Sequence, residues 1–251
     1  MAVGTIAIGG ELEVSRLGFG AMRITGPGIW GPPANPREAI DVLRRAVELG
    51  VDFIDTADSY GPEVSEELIA EALYPYPEGL VIATKGGFTR SGPDRWSPDG
   101  RPEHLRAACD GSLRRLRLDR IDLYQFHTVD PQVPLEESLA ALVELQGEGK
   151  IRHIGVSNFS LAELERAEKV ANVVSVQNRY NASDRHSEDV LQDCEARGIP
   201  FIPWFPLAAG SSSSPADDLA WLLRHSPVML PIPGTSSLAH LEENMQAAAL
   251  I

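Results

Sequence analysis

Three short apolar runs of the sequence end in ionisable side chains whose chemistries complement one another. The runs end at Asp55, Lys85 and His127, and Tyr60 follows Asp55 by five residues. A phenol has an ordinary pKa of about 10, and a nearby ammonium favours its anion, so Lys85 would lower the pKa of Tyr60 and make it a usable proton donor or acceptor. Asp55 would keep Lys85 charged, and His127 could donate a hydrogen bond to a carbonyl oxygen. The set suits proton transfer to an oxygen whose carbon receives a hydride.

These residues need a scaffold that brings separate strand ends together, and the pattern of the chain predicts one. Short apolar runs alternate with amphipathic helical segments, and several runs are continuously apolar, which is typical of parallel strands covered on both faces. We predict eight strands, at residues 16–20, 51–55, 80–85, 121–127, 151–157, 173–177, 200–204 and 228–232. Eight units in 251 residues match the size of a (β/α)8 TIM barrel, an α/β fold whose chemistry lies at the carboxyl ends of the strands.

An open, doubly wound sheet is the competing architecture, because it also alternates strands and helices. No G-x-G-x-x-G follows the first strand, which weighs against its dinucleotide-binding version, so we favour the closed barrel. Ahead of the barrel, Thr5–Val14 predicts a short β-hairpin. The last β/α unit is shortened around Ser211–Ser214, and the chain stops at Ile251 without a C-terminal tail. We treat residues 1–251 as one barrel domain.

Charge and composition narrow the classes of partner. Acidic residues outnumber basic ones by 36 to 22, which gives a formal net charge of −14. Such a surface repels phosphate backbones and anionic headgroups, so it argues against nucleic-acid and membrane-surface binding. No stretch approaches the ~20 apolar residues of a membrane span, and the N-terminus lacks the blocks of a signal peptide. We therefore expect a soluble, cytoplasmic protein, a monomer or weak oligomer, that acts on a small molecule.

Taken singly, each of the four residues has an ordinary structural explanation. Asp55 could be a turn or capping residue, and Lys85 could bury its aliphatic part while its amine reaches water. His127 could be a structural histidine, and Tyr60 could be an aromatic residue that packs in a turn. Their joint placement at three adjacent strand ends is what favours a catalytic site.

At these residues the sequence closely resembles the aldo-keto reductase superfamily. The segment at 55–61, DTADSYG, is similar to the family signature D-T-A-x-x-Y-G. Four further segments continue the match: Thr84-Lys85, LYQFH at 123–127, IGVSNF at 154–159 and IPGT at 232–235. The resemblance extends from about Leu17 to Asn244, and it rests on several ordered motifs.

The resemblance implies a (β/α)8 barrel that binds NADP(H) in an extended form without a Rossmann domain, with a tyrosine as general acid. The implied catalytic tetrad is Asp55, Tyr60, Lys85 and His127. The implied cofactor contacts are Gly20, Ala21, Met22, Asp55, Ser157, Asn158, Gln177, Trp204, Phe205, Pro206, Leu207, Gly234, Thr235, Ser236, His240, Glu243 and Asn244.

Within that set, the family assigns different parts of the cofactor to different residues. Ser157, Asn158 and Gln177 correspond to ligands of the nicotinamide carboxamide, and their hydroxyl and amide groups can donate and accept hydrogen bonds as that group requires. Residues 235–236 can present hydroxyls and backbone amides to a phosphate at a helix N-terminus. Residues 243–244 match positions that hold the adenine.

The chain also departs from the family pattern. Where relatives often carry Lys or Arg for the cofactor 2′-phosphate, this chain has Gly234 and His240, so NADP(H) is favoured while NAD(H) stays possible. Trp204 corresponds to the aromatic under the nicotinamide ring, and it is followed by Phe205, for which simple packing is an equal explanation, instead of the usual serine. With no C-terminal tail, other residues must wall the substrate pocket. The candidates are Trp30, Phe88 and Trp96.

Three functions compete. We predict an oxidoreductase that reduces aldehydes or ketones to alcohols with NADPH, with Tyr60 as the general acid. The alternative is a nucleotide-binding redox-sensing or regulatory subunit with little turnover, as in the channel-associated branch of the superfamily. A metal-dependent barrel hydrolase would draw its ligands from His127, Asp55, Asp58 and His153, but no H-x-H pair ends the first strand, and we predict no metal. The natural substrate is not indicated by the sequence.

Overall fold

The computed structural model describes residues 3–207 and 214–251 of the chain. The strands are β1 (Thr5–Ile8), β2 (Leu12–Ser15), β3 (Phe19–Gly20), β4 (Phe53–Asp55), β5 (Val81–Gly86), β6 (Phe88–Gly92), β7 (Arg95–Pro98), β8 (Ile121–Phe126), β9 (Ile151–Ser157) and β10 (Val173–Gln177). The α-helices are α1 (Pro36–Glu48), α2 (Val64–Leu73), α3 (Pro102–Leu116), α4 (Leu135–Gly147), α5 (Leu161–Ala167), α6 (Glu188–Arg197), α7 (Pro215–His225) and α8 (Leu238–Met245). Of the shortened stretch predicted at Ser211–Ser214, only Ser214 lies within the described residues.

Six strands form a curled parallel sheet in the order β10–β9–β8–β5–β4–β3. They coincide with six of the eight predicted strands, although the first is shorter than the predicted 16–20. The register places Asp55 beside Gly20 on one side and beside Ala83 on the other. Because all six strands are parallel, their carboxyl ends meet at one rim of the sheet.

The two remaining predicted strands, 200–204 and 228–232, are present as isolated parallel bridges at Phe201 and Met229 instead of continuous strands. The physical reason is their proline content, at positions 200, 203 and 231, because proline has no N–H to donate to a ladder. The bonds that remain still close the ring. They are Ile202 N to Val176 O (2.8 Å), Leu230 N to Phe201 O (2.9 Å) and Gly18 N to Pro231 O (3.0 Å).

The segments 200–204 and 228–232 form the seam that closes the barrel, and glycines are needed where this seam meets β3. A Cβ added at Gly20 would lie 2.6 Å from the carbonyl oxygen of Ile232, and one added at Gly234 would collide with the carbonyl oxygen of Gly20. Two backbones can approach this closely only without side chains between them. The seam therefore brings residues 232–234 directly beside the end of β3.

The antiparallel pair β1–β2 covers the amino-terminal end of the barrel. Ser15 donates both its N–H and its hydroxyl to Asp52, which directly precedes β4. Ile8 and Val14 pack into the barrel interior. The same interior cluster contains Phe53, Val81, Ala83, Leu123, Val174, Ile202, Leu230 and Ile232. Apolar packing thus fills this end, and the polar strand ends lie at the other.

The helices bury their apolar faces against the outside of the sheet, and two of them begin at a residue whose side chain caps the helix. Asn35 caps α1 by accepting a hydrogen bond from the N–H of Glu38, and Ser160 and Glu163 form the capping box of α5. Leu139 and Leu142 of α4 are fully buried in the largest apolar cluster. No helix within the described ranges is long and apolar enough to span a membrane.

One element at the carboxyl rim was not predicted from the sequence. Strands β6 and β7 form an antiparallel ribbon directly after β5, with Phe88 opposite Pro98 and Arg90 opposite Trp96. Sequence periodicity gave no signal for it, because the segment is short, polar and interrupted by Gly92 and Pro93. The ribbon supplies one wall above the strand ends.

Candidate active site

A buried lysine forms the centre of the cluster at the carboxyl rim. Lys85 on β5 is fully buried, and its Nζ lies 2.6 Å from Asp55 Oδ1, 2.8 Å from the carbonyl oxygen of Thr56 and 3.4 Å from Tyr60 OH. The Asp55 partner ends β4, and Tyr60 lies on the loop that follows. The structure therefore brings the amine, the carboxylate and the phenol within hydrogen-bonding distance.

Burial and charge act in opposite directions on the pKa values of this cluster. Burial alone would lower the pKa of Lys85, but Asp55 and Tyr60 outweigh it and hold that pKa above its ordinary value. Burial raises the pKa of Tyr60, and the charge of Lys85 offsets only part of the effect, since Asp55 adds to it. The predicted lowering of the Tyr60 pKa is therefore wrong. The phenol is a proton-bearing acid at neutral pH, beside an ammonium that would stabilise its anion.

The second oxygen of Asp55 is held by two amides that the sequence analysis did not connect with it. Gln125 Nε2 and Gln177 Nε2 each donate to Asp55 Oδ2 at 2.9 Å, and Gln177 Nε2 also lies 3.2 Å from Gln125 Oε1. A buried carboxylate with its hydrogen bonds satisfied is held in one orientation. Asp55 is thus fixed from both sides, by Lys85 and by the two glutamines.

His127 follows β8 directly and faces the same cluster. Burial and the charge of Lys85 hold its pKa well below the ordinary value, so the imidazole is neutral at physiological pH. Its Nδ1 lies 3.4 Å from Ser59 Oγ, and its ring packs edge-on against the rings of Tyr60 and Phe88 at centroid distances of 5.8 and 4.7 Å. A neutral imidazole in this position can offer one N–H to a carbonyl oxygen.

An open cavity of about 1450 Å³ extends from this cluster across the rim. Most of the predicted site residues line it. They are Gly20, Met22, Asp55, Tyr60, Phe88, Trp96, His127, Ser157, Asn158, Gln177, Trp204, Phe205, Pro206, Leu207, Gly234, Thr235, Ser236, His240, Glu243 and Asn244. Three do not: Lys85 lies behind Tyr60, Ala21 is buried in the helix-packed core, and Trp30 bridges to Gly61 beside the ribbon.

The middle of the cavity presents amide and hydroxyl groups that are already oriented. Asn158 adopts a left-handed backbone (φ 62°), and its Nδ2 donates to the carbonyl oxygen of His127 and to Ser157 Oγ, while its Oδ1 accepts from Trp204 Nε1 at 2.9 Å. The Asn158 amide is therefore occupied by protein partners. The Ser157 O–H and Gln177 Oε1 are the groups with capacity for a ligand amide.

The far end of the cavity carries two basic side chains. His240 lines it, as predicted, and so does Arg23, which the sequence analysis missed. Arg23 Cγ lies 3.7 Å from the position of a Cβ at Gly234. The position of Arg23, one residue after the predicted cofactor contacts at 20–22, could have indicated that it lies in the same site. A guanidinium, an imidazole and hydroxyls at one end and amide-binding groups near Tyr60 fit an extended dinucleotide.

The positions of the candidate metal ligands do not support the hypothesis of a metal-dependent hydrolase. Within residues 3–207 and 214–251, no group of three or more His, Cys, Asp or Glu side chains is arranged to hold a metal ion. His153 lies at the opposite end of the barrel, paired with Glu11, far from the other three candidate ligands.

Asp58, between Asp55 and Tyr60, is buried beside a second acidic group. Burial and the nearby Glu66 carboxylate raise the pKa of Asp58 to about 8, although Arg115 opposes them. Its Oδ1 has no hydrogen-bond partner among the described residues. Glu66 itself is satisfied, by Thr84 Oγ1 at 2.5 Å and Arg115 Nε at 2.6 Å.

We expect Asp58→Asn to stabilise the protein above neutral pH. The folded protein holds the proton of Asp58 while the unfolded chain releases it near pH 4, so the wild type loses stability as the pH rises from about 4 to 8. Asparagine cannot ionise, and we expect a gain of about 1–3 kcal/mol at pH 8 that disappears near pH 4. Urea unfolding at several pH values measures it, with the exposed Asp119→Asn as control. A gain independent of pH would contradict the assignment.

The fold and the cavity together define a barrel oxidoreductase, in which a buried lysine backs a tyrosine at the edge of a dinucleotide-sized cleft. Residues 16–218 match the model of the aldo/keto reductase family. The chain belongs to this family and is accordingly an NAD(P)H-dependent enzyme with a (β/α)8 barrel.

Individual relatives agree with this assignment. An uncharacterized oxidoreductase of Schizosaccharomyces pombe is 48% identical over 98% of this chain and 85% of its own length. Pyridoxine 4-dehydrogenase of Escherichia coli is 42% identical over 96% of this chain and 92% of its own. The crystal structure of an aldo-keto reductase from Klebsiella pneumoniae in complex with NADPH superposes with a TM-score of 0.83 at 26% identity, covering all of this chain and 91% of the other.

Proposed function

We propose that this protein reduces aldehydes or ketones to alcohols with NADPH, and that Tyr60 is the general acid. The observation that carries the proposal is the position of Tyr60 OH, which lines the cavity with Lys85 Nζ 3.4 Å behind it. A protonated phenol backed by an ammonium can give up its proton to an oxygen and be left as a stabilised phenolate.

Each member of the tetrad has a separate task in this proposal. When bound, NADPH supplies the hydride that reaches the carbonyl carbon. Tyr60 transfers its proton to the carbonyl oxygen, Lys85 stabilises the resulting phenolate, and Asp55 keeps Lys85 charged and in place. His127 donates a hydrogen bond to the same carbonyl oxygen, which polarises the C=O bond before the transfer.

The choice of NADPH over NADH is supported by the side chains at the far end of the cavity, among them one guanidinium. Arg23 and His240 lie there, with the hydroxyls of Thr235 and Ser236 nearby. A guanidinium can bind phosphate oxygens through charge-assisted hydrogen bonds. A solved relative from Klebsiella pneumoniae is described in complex with NADPH, in keeping with this choice.

A planar aromatic aldehyde is the substrate class that the pocket supports best. Around Tyr60 and His127 the wall is aromatic, with the Phe88 and Trp96 ring centroids 5.5 Å apart and Trp96 at 6.2 Å from Tyr60. Edge and face contacts between aromatic rings add to the burial of a flat ring. The relative named pyridoxine 4-dehydrogenase makes pyridoxal the first probe.

The test is a comparison of substrates and cofactors with the purified protein. We expect loss of the nicotinamide absorbance with NADPH plus pyridoxal or benzaldehyde, slower turnover with a short aliphatic aldehyde, and a preference for NADPH over NADH. Protein with NADPH alone is the control. Tight NADPH binding without turnover of any carbonyl compound would overturn the proposal and favour the sensing or regulatory alternative.

A further inference from the structure

Arg90 on β6 donates hydrogen bonds through all of its N–H groups, and every acceptor is a backbone carbonyl group. Nη1 donates to the carbonyl oxygens of Ile29 and Ser59 (2.8 Å each), Nη2 to those of Gly28 (2.9 Å) and Gly92 (3.3 Å), and Nε to that of Arg95 (3.1 Å). Guanidinium has five N–H groups, and all five are used. None of these acceptors is a carboxylate, so Arg90 is held by dipoles instead of an ion pair.

These five carbonyl groups belong to three different loops at the rim. Residues 28–29 follow β3, Ser59 precedes Tyr60 on the loop after β4, and residues 92–95 form the tip of the β6–β7 ribbon. The loops also contact one another through backbone bonds, such as Gly31 N to Gly61 O at 2.5 Å and Asp94 N to Gly28 O at 2.9 Å, and through the rings of Tyr60 and Trp96. Arg90 is a side chain that hydrogen-bonds to all three loops.

The guanidinium also orients the aromatic wall. Its Cζ lies 3.6 Å from the ring centroid of Trp96 and 5.8 Å from that of Trp30. Trp96 in turn packs edge-on against Tyr60 and His127. Partial burial lowers the pKa of Arg90, and the aromatic faces and carbonyl dipoles stabilise its charge at this half-buried position.

We propose that Arg90 is a positioning residue that assembles the substrate pocket, and that it governs recognition of the carbonyl substrate without contributing to cofactor binding. Through Ser59 it holds the segment that carries Tyr60, and through Trp96 it holds the aromatic wall that contacts Tyr60 and His127. Arg23 lies on the connection after β3 but receives no hydrogen bond from Arg90, and residues 234–244, which line another part of the cavity, lie outside the three loops that Arg90 joins. This inference rests on the proposed carbonyl reduction.

The geometry also explains why lysine cannot replace this arginine. An ammonium has three donors in a compact head and no planar face, so it can neither reach five carbonyl groups in a plane nor stack on Trp96. A free guanidinium ion, by contrast, has the same shape and donors as the missing head group.

The experiment compares Arg90→Ala and Arg90→Lys with Arg44→Ala, which removes an exposed arginine that also donates to a backbone carbonyl, that of Ala72. A displaced aromatic wall loses ring contacts that substrate and transition state share, so for both Arg90 variants we expect kcat/KM for benzaldehyde to fall about 10- to 100-fold, with most of the loss in KM. The Kd for NADPH should stay within about twofold of wild type. Guanidinium chloride at a non-denaturing concentration should restore activity to Arg90→Ala and leave the activity of Arg44→Ala unchanged.

Two outcomes would overturn the proposal: equal losses of NADPH binding and carbonyl turnover, or wild-type KM in the Arg90 variants. If Arg90→Ala does not fold, Arg90→Lys is judged by the same two criteria. If the wild type reduces no carbonyl compound, the proposed function fails by itself. Arg90 is then tested by hydrogen exchange of residues 26–31 and 88–98, where exchange unchanged from wild type would refute a positioning role.

Discussion

Tyr60→Phe is expected to abolish carbonyl reduction while leaving cofactor binding intact. Removing the hydroxyl deletes the proton donor, and general acid catalysis contributes about 10²- to 10⁴-fold, so kcat should fall by that factor. The ring itself stays, with its edge contacts to Trp96 and His127, so the cavity keeps its shape. Since Lys85 donates to Asp55 and to the carbonyl oxygen of Thr56 as well, the loss of one 3.4 Å contact leaves it held.

The measurement is steady-state reduction of an aromatic aldehyde together with NADPH titration by fluorescence. Tyr74→Phe is the matched control, because Tyr74 is an exposed tyrosine away from the cavity. The raised pKa of Tyr60 adds a second check: the phenol keeps its proton through the neutral range, so its titration should not shape the rate of reduction between about pH 6 and 9. Turnover by Tyr60→Phe at the wild-type rate would refute the role of Tyr60.

Lys85→Met is expected to cost both stability and activity. It leaves the Asp55 carboxylate buried without its cation, and breaking a buried ion pair from one side destabilises proteins by about 3–5 kcal/mol. Gln125 and Gln177 still donate to Asp55, which places the expected loss at about 3 kcal/mol, the lower end of that range. Activity should fall at least as far as in Tyr60→Phe, because the phenolate formed on proton transfer loses its stabilising charge.

The double variant Asp55→Asn/Lys85→Met separates the two effects. An asparagine at position 55 carries no charge and keeps an acceptor for the glutamine amides, so most of the lost stability should return while the activity does not. Chemical denaturation and aldehyde turnover measure the two quantities on the same samples. A double variant less stable than Lys85→Met would show that the buried ion pair is not the source of the cost.

The fold could be predicted from the sequence wherever the pattern of neighbouring residues is enough to define an element of secondary structure. Six strands are in their predicted places, because a continuous apolar run is a local pattern that acts over a few neighbouring residues. The seam at 200–204 and 228–232 was predicted as two strands and consists of isolated bridges at Phe201, Trp204 and Met229. Its prolines remove donors, and the ring closes through a few long-range backbone bonds whose partners no local pattern identifies.

For the candidate site, the order of residues along the chain was enough to predict which groups lie at the rim. Parallel strands end on the same side, so Asp55, Lys85 and His127, each at or next to the end of a strand, had to share one opening. The protonation of those groups depends on the folded arrangement. The net direction of the Tyr60 pKa depends on burial against the charge of Lys85, and burial is a property of the assembled chain. The five carbonyl partners of Arg90 likewise come from loops up to 62 residues away, which only folding brings to one guanidinium.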